Sequence, residues 1–141
     1  MAIKISKHDK VFSQCIRERA NWSCERCGKY YPEGSGRMGL HNSHYYSRRK
    51  AATRFDPDNC NSLDYGCHSY FATNRDEYTL FKKRELGDSR FDELTLRGNS
   101  TMKRIKSDME ELYAHYKAQL AYMQRLRAEG NTGYLVLTSW D

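Results

Sequence analysis

No stretch of this chain approaches the ~18 consecutive apolar residues that a membrane-spanning helix requires. Its first ten residues, with Lys4, Lys7, His8, Asp9 and Lys10, lack the apolar segment of a secretion signal. No membrane partner and a cytosolic location are therefore expected. Internal repeats and low-complexity blocks are absent. Acidic residues are outnumbered, 18 Asp and Glu against 24 Lys and Arg, leaving a net charge of +6. That balance argues against an acidic surface or a small neutral ligand and favours a polyanion such as nucleic acid. What is present is 141 residues, 38% hydrophobic and 30% charged, enough for one small core under a highly charged exterior.

The five cysteines are odd in number, which argues against a disulfide framework and for reduced thiols, some of them metal ligands. Cys24 and Cys27 stand two residues apart and are followed by Gly28, whose open backbone lets both sulfurs face one ion. A redox motif shares this spacing but needs a strand-helix-strand context, which Tyr30, Pro32, Gly34 and Gly36 do not suggest. Two thiolates leave a tetrahedral shell half empty. Asp64 and Cys67 repeat the spacing, so the expected structural zinc ligands are Cys24, Cys27, Asp64 and Cys67, with Cys60 as the alternative fourth. Cys15 shares a helical face with Val11, Phe12 and Ile16 and reads as core.

The pattern divides the chain into an N-terminal helical segment (1–22), a central unit (23–98) and a long C-terminal helix with a tail (99–141). Asp9 is expected to cap a helix over residues 10–20. A Gly- and Ser-containing connection over 32–39 leads to a short strand over 40–46. Between Arg37 and Arg54 there are five basic residues and no acid. A turn over 56–59 precedes a second strand over 60–63, then a helix from near Cys67. Residues 78–86 continue helically, with Gly87 as a stop. Ser100 is expected to cap a helix reaching Gly130, with Met102, Ile105, Met109, Leu112, Tyr116, Leu120, Met123 and Leu126 as its apolar stripe. Packing on the small core is the first reading of that stripe, and a homodimer seam over 102–126 the second. The apolar tail from Tyr134 to Leu137 fits a short strand or a partner contact.

His41, His44, Asn59 and His68 converge if two strands and a helix fold around the zinc. One imidazole then serves as general base on water, with a pKa near neutrality suited to that task. The others hold a divalent cation that stabilises the charge developing at a scissile phosphate. His8 and His115 read as ordinary surface or hydrogen-bonded residues. Arg48, Arg49, Lys50 and Arg54 would grip phosphates without reading sequence. Most other basic residues, Arg17, Lys82 and Arg104 among them, read as helix surface. A competing reading makes His41 and His44 zinc ligands beside Cys24 and Cys27, giving a DNA-binding module that does not cut; it leaves Cys67-His68 unexplained.

The ordered motifs Ile16-Arg17-Glu18-Arg19, Cys24-x2-Cys27-Gly28, His41-x2-His44-Tyr45, Arg54-Phe55-Asp56-x-Asp58-Asn59 and Cys67-His68 resemble the HNH (His-Me finger) endonucleases. The likeness is greatest to the Rap/NinG-type recombination nucleases of lambdoid phages, with spacing also similar to that of phage endonuclease VII. It covers about residues 12–90. The resemblance implies an α+β fold with a small zinc-stabilised ββα-metal (treble-clef-like) core, an N-terminal helix and a long C-terminal helix. It also implies hydrolysis of DNA phosphodiester bonds in phage recombination or DNA processing, with branched DNA or Holliday junctions as candidate substrates and the host cytoplasm as location. A nicking or homing-type HNH endonuclease is the alternative within the family.

By position, His44 matches the general base, and His41 the place where relatives carry a metal-binding Asp. His68 matches the metal ligand after the last zinc Cys, and Asn59 the Asn that ties the strands together and orients the base. Asp64 stands where relatives usually have a zinc Cys. Because His41 replaces an Asp, the catalytic cation would meet two imidazoles, which suit Mn²⁺, Co²⁺ or Ni²⁺ better than Mg²⁺.

Overall fold

The computed structural model describes residues 4–141, so the first three residues of the N-terminal segment lie outside it. The fold of the described residues is α+β: five α-helices around a two-stranded antiparallel sheet. Helix α1 (Lys7–Arg19) begins three residues earlier than the sequence suggests. Ser6, not Asp9, is its cap. Asp9 occupies the third helical position and reaches back to the Ser6 N–H at 2.8 Å, which completes a capping box.

Strand β1 (Leu40–His44) pairs with β2 (Cys60–Asp64) in a register that sets Leu40 opposite Asp64 and His44 opposite Cys60. The four-residue helix α2 (Ala51–Arg54) lies between them. Helix α3 (Tyr65–Thr73) follows β2 with no intervening loop, and α4 (Arg75–Gly98) continues after a break at Asn74. Gly87 interrupts α4 at φ 76°, a left-handed conformation that glycine adopts without steric cost, and the helix resumes beyond it. The expected stop is thus a kink. Helix α5 (Lys106–Ala128) starts six residues after Ser100, where the Asp108 carboxylate accepts the Ile105 N–H at 3.1 Å. No helix among the described residues is long and apolar enough to cross a membrane.

Two apolar clusters result. In the first, Phe12, Cys15 and Ile16 of α1 meet Leu112, Tyr116 and Met123 of α5. The rings of Phe12 and Tyr116 lie edge to face at 4.8 Å, and the Tyr116 hydroxyl donates to the Phe55 carbonyl at 2.6 Å. The buried centre of the α5 stripe is therefore covered within the chain, while Met102 and Ile105 stay exposed. The tail is not a strand. Leu135 donates its N–H to the Arg19 carbonyl at 2.9 Å, and Leu137 enters the same cluster. The second cluster gathers Leu40, Tyr45, Leu63, Phe71, Tyr78 and Leu94 around the sheet.

Polar groups are buried behind β2. Lys82, expected on the surface, is fully buried between the Glu85 carboxylate at 3.0 Å and Asn61 Oδ1 at 3.2 Å. Asn61 donates in turn to Glu25 and Glu85. Arg104, likewise expected to be exposed, pairs with Asp141.

Candidate functional site

The sharp exit from α1 builds the first half of a candidate metal site. Asn21 and Trp22 sit at φ 53° and 56°, turning the chain into a small hairpin closed by the Ser23–Tyr30 bridge. Within it the Gly28 N–H reaches the Cys24 carbonyl at 2.8 Å and Cys24 N–H the Lys29 carbonyl at 2.9 Å. Gly28 takes φ 81°, so the residue after Cys27 is one that tolerates the left-handed turn.

Asp64 supplies the other half with its two oxygens divided between two tasks. Oδ1 accepts the Cys67 N–H at 2.8 Å and so caps α3. Oδ2 lies 3.1 Å from Cys27 Sγ and accepts the Tyr31 hydroxyl at 3.1 Å. The donor atoms of Cys24, Cys27, Asp64 and Cys67 all lie within 4.8 Å of one another. A tetrahedral ion with Zn–S bonds of about 2.3 Å needs sulfur-sulfur edges of about 3.8 Å, so the set can hold a metal ion and its chemistry is consistent with structural zinc.

Cys60 is not part of this set. It is completely buried in the first cluster, where the loss of solvent drives its thiol pKa well up.

The acid-base balance of the cluster points the same way. Burial, aided by the Asp64 side chain, pushes the Cys67 thiol up to about 12. Asp64 itself falls to about 2 despite burial, because the Cys67 N–H and the Cys27 thiol donate to it. Cys24 is lowered: burial opposes its ionisation, and backbone hydrogen bonds at Cys27, Asp64 and Arg26 overcome that. Asp64 is therefore ionised, while Cys27 and Cys67 hold their protons and would release them to a bound cation.

The histidines lie on the next elements. His41 of β1 and His68 of α3 approach with their Nδ1 atoms 3.1 Å apart. The His41 Nε2 faces the Arg37 carbonyl at 2.9 Å, an acceptor only, so Nε2 carries the proton and Nδ1 presents its lone pair to His68. Burial and the proximity of His41 lower the His68 pKa. His44 follows the same logic: its Nε2–H donates to the Arg54 carbonyl at 2.9 Å, leaving Nδ1 unprotonated. Burial pushes His44 down to about 4, with the charges of Arg48 and Arg54 adding to the fall and the Arg54 carbonyl opposing it. The near-neutral value expected from sequence is not what this environment gives.

Asn59 is fully buried and clamps the segment after β1: its Oδ1 accepts the Tyr46 N–H at 2.8 Å, and its Nδ2 donates to the carbonyls of Tyr46 and Thr53. The Thr53 contact also fixes α2, whose Arg54 carbonyl orients His44.

A cleft of about 360 Å³ opens between α1 and β1, lined by Lys10, Ser13, Arg17, His41, His44 and Arg48. His68 is not in its wall but touches His41. Arg49 and Lys50 are exposed nearby. Arg54 is differently engaged from its expected role on phosphate: its guanidinium grips both Asp9 oxygens, at 3.0 and 2.6 Å.

Sequence spacing did not reveal Tyr31 or Arg26. Arg26 donates to Cys67 Sγ at 3.4 Å while its guanidinium lies 3.9 Å from the Tyr70 ring centre; its place inside the Cys24–Cys27 spacer is the one signal that pointed there. Compared with protein-family models, curated proteins and solved structures, the chain matches none.

Proposed function

We propose that this chain is a metal-dependent endonuclease of the HNH kind that hydrolyses DNA phosphodiester bonds, and that β1, β2 and α3 form its ββα-metal core. The observation that carries the reading is the tautomer of His44. A carbonyl on one ring nitrogen leaves a lone pair on the other, in a cleft shared with His41 and three cationic side chains.

His44 Nδ1 takes a proton from a water molecule, whose oxygen attacks phosphorus as the bond to the leaving sugar oxygen breaks. At pH 7 the imidazole is unprotonated and ready to accept. A phosphate anion beside it raises its affinity for the proton above that of the empty cleft. The second positioned group is the His41–His68 pair. The two Nδ1 atoms share one proton across 3.1 Å, and both would offer lone pairs to a cation that displaced it. A divalent cation held there, Mn²⁺, Co²⁺, Ni²⁺ or Mg²⁺, would supply charge stabilisation at the phosphoryl oxygens and the leaving oxygen. Zinc on Cys24, Cys27, Asp64 and Cys67 would pin α3, and with it His68, against the hairpin.

Recombination or DNA processing, with branched DNA among the substrates, is the biological setting this reading takes from the family resemblance. Nicking of supercoiled plasmid by the zinc-loaded protein tests the chemistry. Wild type should cut with added Mn²⁺ and not with chelator, and His44→Ala should retain zinc and DNA binding without cutting. If both proteins bind DNA equally and neither cuts plasmid or branched DNA with any of the four metals, the binding-module reading replaces this one.

A further inference from the structure

The cleft between α1 and β1 is longer than a single phosphate needs, and its charges are unbalanced. Lys10, Ser13 and Arg17 fall on one face of α1, three and four residues apart. At 1.5 Å per residue, Lys10 to Arg17 spans about 10 Å of helix, enough to pass from one phosphate of a strand to a neighbouring one. The two elements run in opposite directions. Asp9 and Lys10 lie at the His44 end, because Asp9 holds Arg54 and the Arg54 carbonyl receives His44. Arg17 lies at the other end, where its Nε donates to the Leu40 carbonyl at 2.9 Å.

Asp9 is the one carboxylate among the residues lining this cleft, and Arg54 neutralises it with two hydrogen bonds. Arg17 forms no ion pair among the described residues. It is partly buried, its Nη1 is held by Ser13 Oγ at 3.3 Å, and burial depresses its pKa against the field of Glu33. A guanidinium fixed by two hydrogen bonds and lacking a carboxylate partner is preorganised for an anion. In the same wall, Asn42 Oδ1 is buried and has no hydrogen-bond donor among the described residues. A ligand suited to all of these offers several anions in a row together with N–H or O–H donors. A nucleic-acid strand does so and free phosphate does not.

We propose that the α1 face bearing Lys10, Ser13 and Arg17 is a track for the cut strand, with Arg17 holding a phosphate neighbouring the one that His44 addresses. This deepens the nuclease reading and rests on it only for which end of the track reacts.

Binding is measured by fluorescence anisotropy with a short labelled single-stranded oligonucleotide across a salt series, in zinc-loaded His44→Ala protein so that no cutting intrudes. Adding Lys10→Gln and Arg17→Gln together should weaken binding about tenfold and reduce the slope of log affinity against log salt by about 1.4, roughly 0.7 for each lost phosphate contact. Lys10→Gln alone, at an exposed position, should remove about half of that slope change and serves where Arg17→Gln does not fold. Inorganic phosphate should compete weakly; competition as strong as the unlabelled oligonucleotide's would mean a single-anion site and overturn the track. Folded variants with unchanged affinity and slope would overturn it too, even if wild-type protein nicks plasmid. Conversely, loss of affinity and slope as expected, in a chain that never nicks, upholds the track and defeats the nuclease reading.

Discussion

His41 and His68 are 27 residues apart in sequence and on different elements, yet their Nδ1 atoms meet at 3.1 Å. The Arg37 carbonyl holds the far side of the His41 ring, so its lone pair is directed at His68 rather than free to turn away. Two imidazoles favour borderline transition metals over Mg²⁺. His41→Asp replaces one of them with hard oxygen. The ratio of nicking rates in Mn²⁺ to those in Mg²⁺ should fall by about tenfold in this variant, within the range seen when ligand environments change. Parallel plasmid assays in the two metals check it, and an unchanged ratio would detach His41 from the cation.

Asp64 does two jobs, and substitutions can part them. Asp64→Cys puts a sulfur in place of the carboxylate but removes the oxygen that caps α3. Zinc content by elemental analysis should stay at the wild-type level while stability drops by about 1 kcal/mol, the usual cost of a lost cap. Asp64→Ala should lose both, with substoichiometric zinc and a larger fall in melting temperature.

His44 also sets a pH dependence of stability. Its pKa is about 4 in the fold against an ordinary 6.5. As pH drops below 6.5 the unfolded chain takes up a proton that the folded chain refuses, so the fold loses stability until pH 4, where both states are protonated. The loss amounts to about 3 kcal/mol. His68, also lowered by burial, acts in the same direction. Urea midpoints measured from pH 7 to pH 4 should decline in wild type and decline less in His44→Gln.

The first half of this site was legible because metal ligation imposes short, fixed spacings: Cys24 to Cys27 and Asp64 to Cys67 each span a single turn. Cys15 as core was legible from its helical neighbours. Other features depended on partners distant in sequence. Tyr31 reaches Asp64 only because the hairpin folds back, and Lys82 is buried because Asn61 and Glu85 surround it, though Lys83, Arg84 and Glu85 follow it in sequence. The start of α1 was misplaced because Ser6 and Asp9 both suit a cap, and only the reciprocal hydrogen bonds separate their roles. The depressed pKa of His44 is likewise a matter of burial that spacing does not encode.

Lys82 gives a stability prediction independent of any ligand. Glu85→Ala leaves a fully buried ammonium without its carboxylate and should cost about 3 kcal/mol or more, whereas Lys82→Met, which removes the charge while keeping the volume, should cost clearly less. Urea unfolding of both variants checks the order. The reverse ranking would mean that the ammonium is satisfied by Asn61 alone.

Cys67 and His68 are neighbours on the first turn of α3, so whatever holds the one steadies the other. That turn is held by β2 and the Asp64 cap, and an ion shared by Asp64, Cys67 and the hairpin would lock it further. Loss of such an ion would loosen the approach of His68 to His41 before it loosened the sheet.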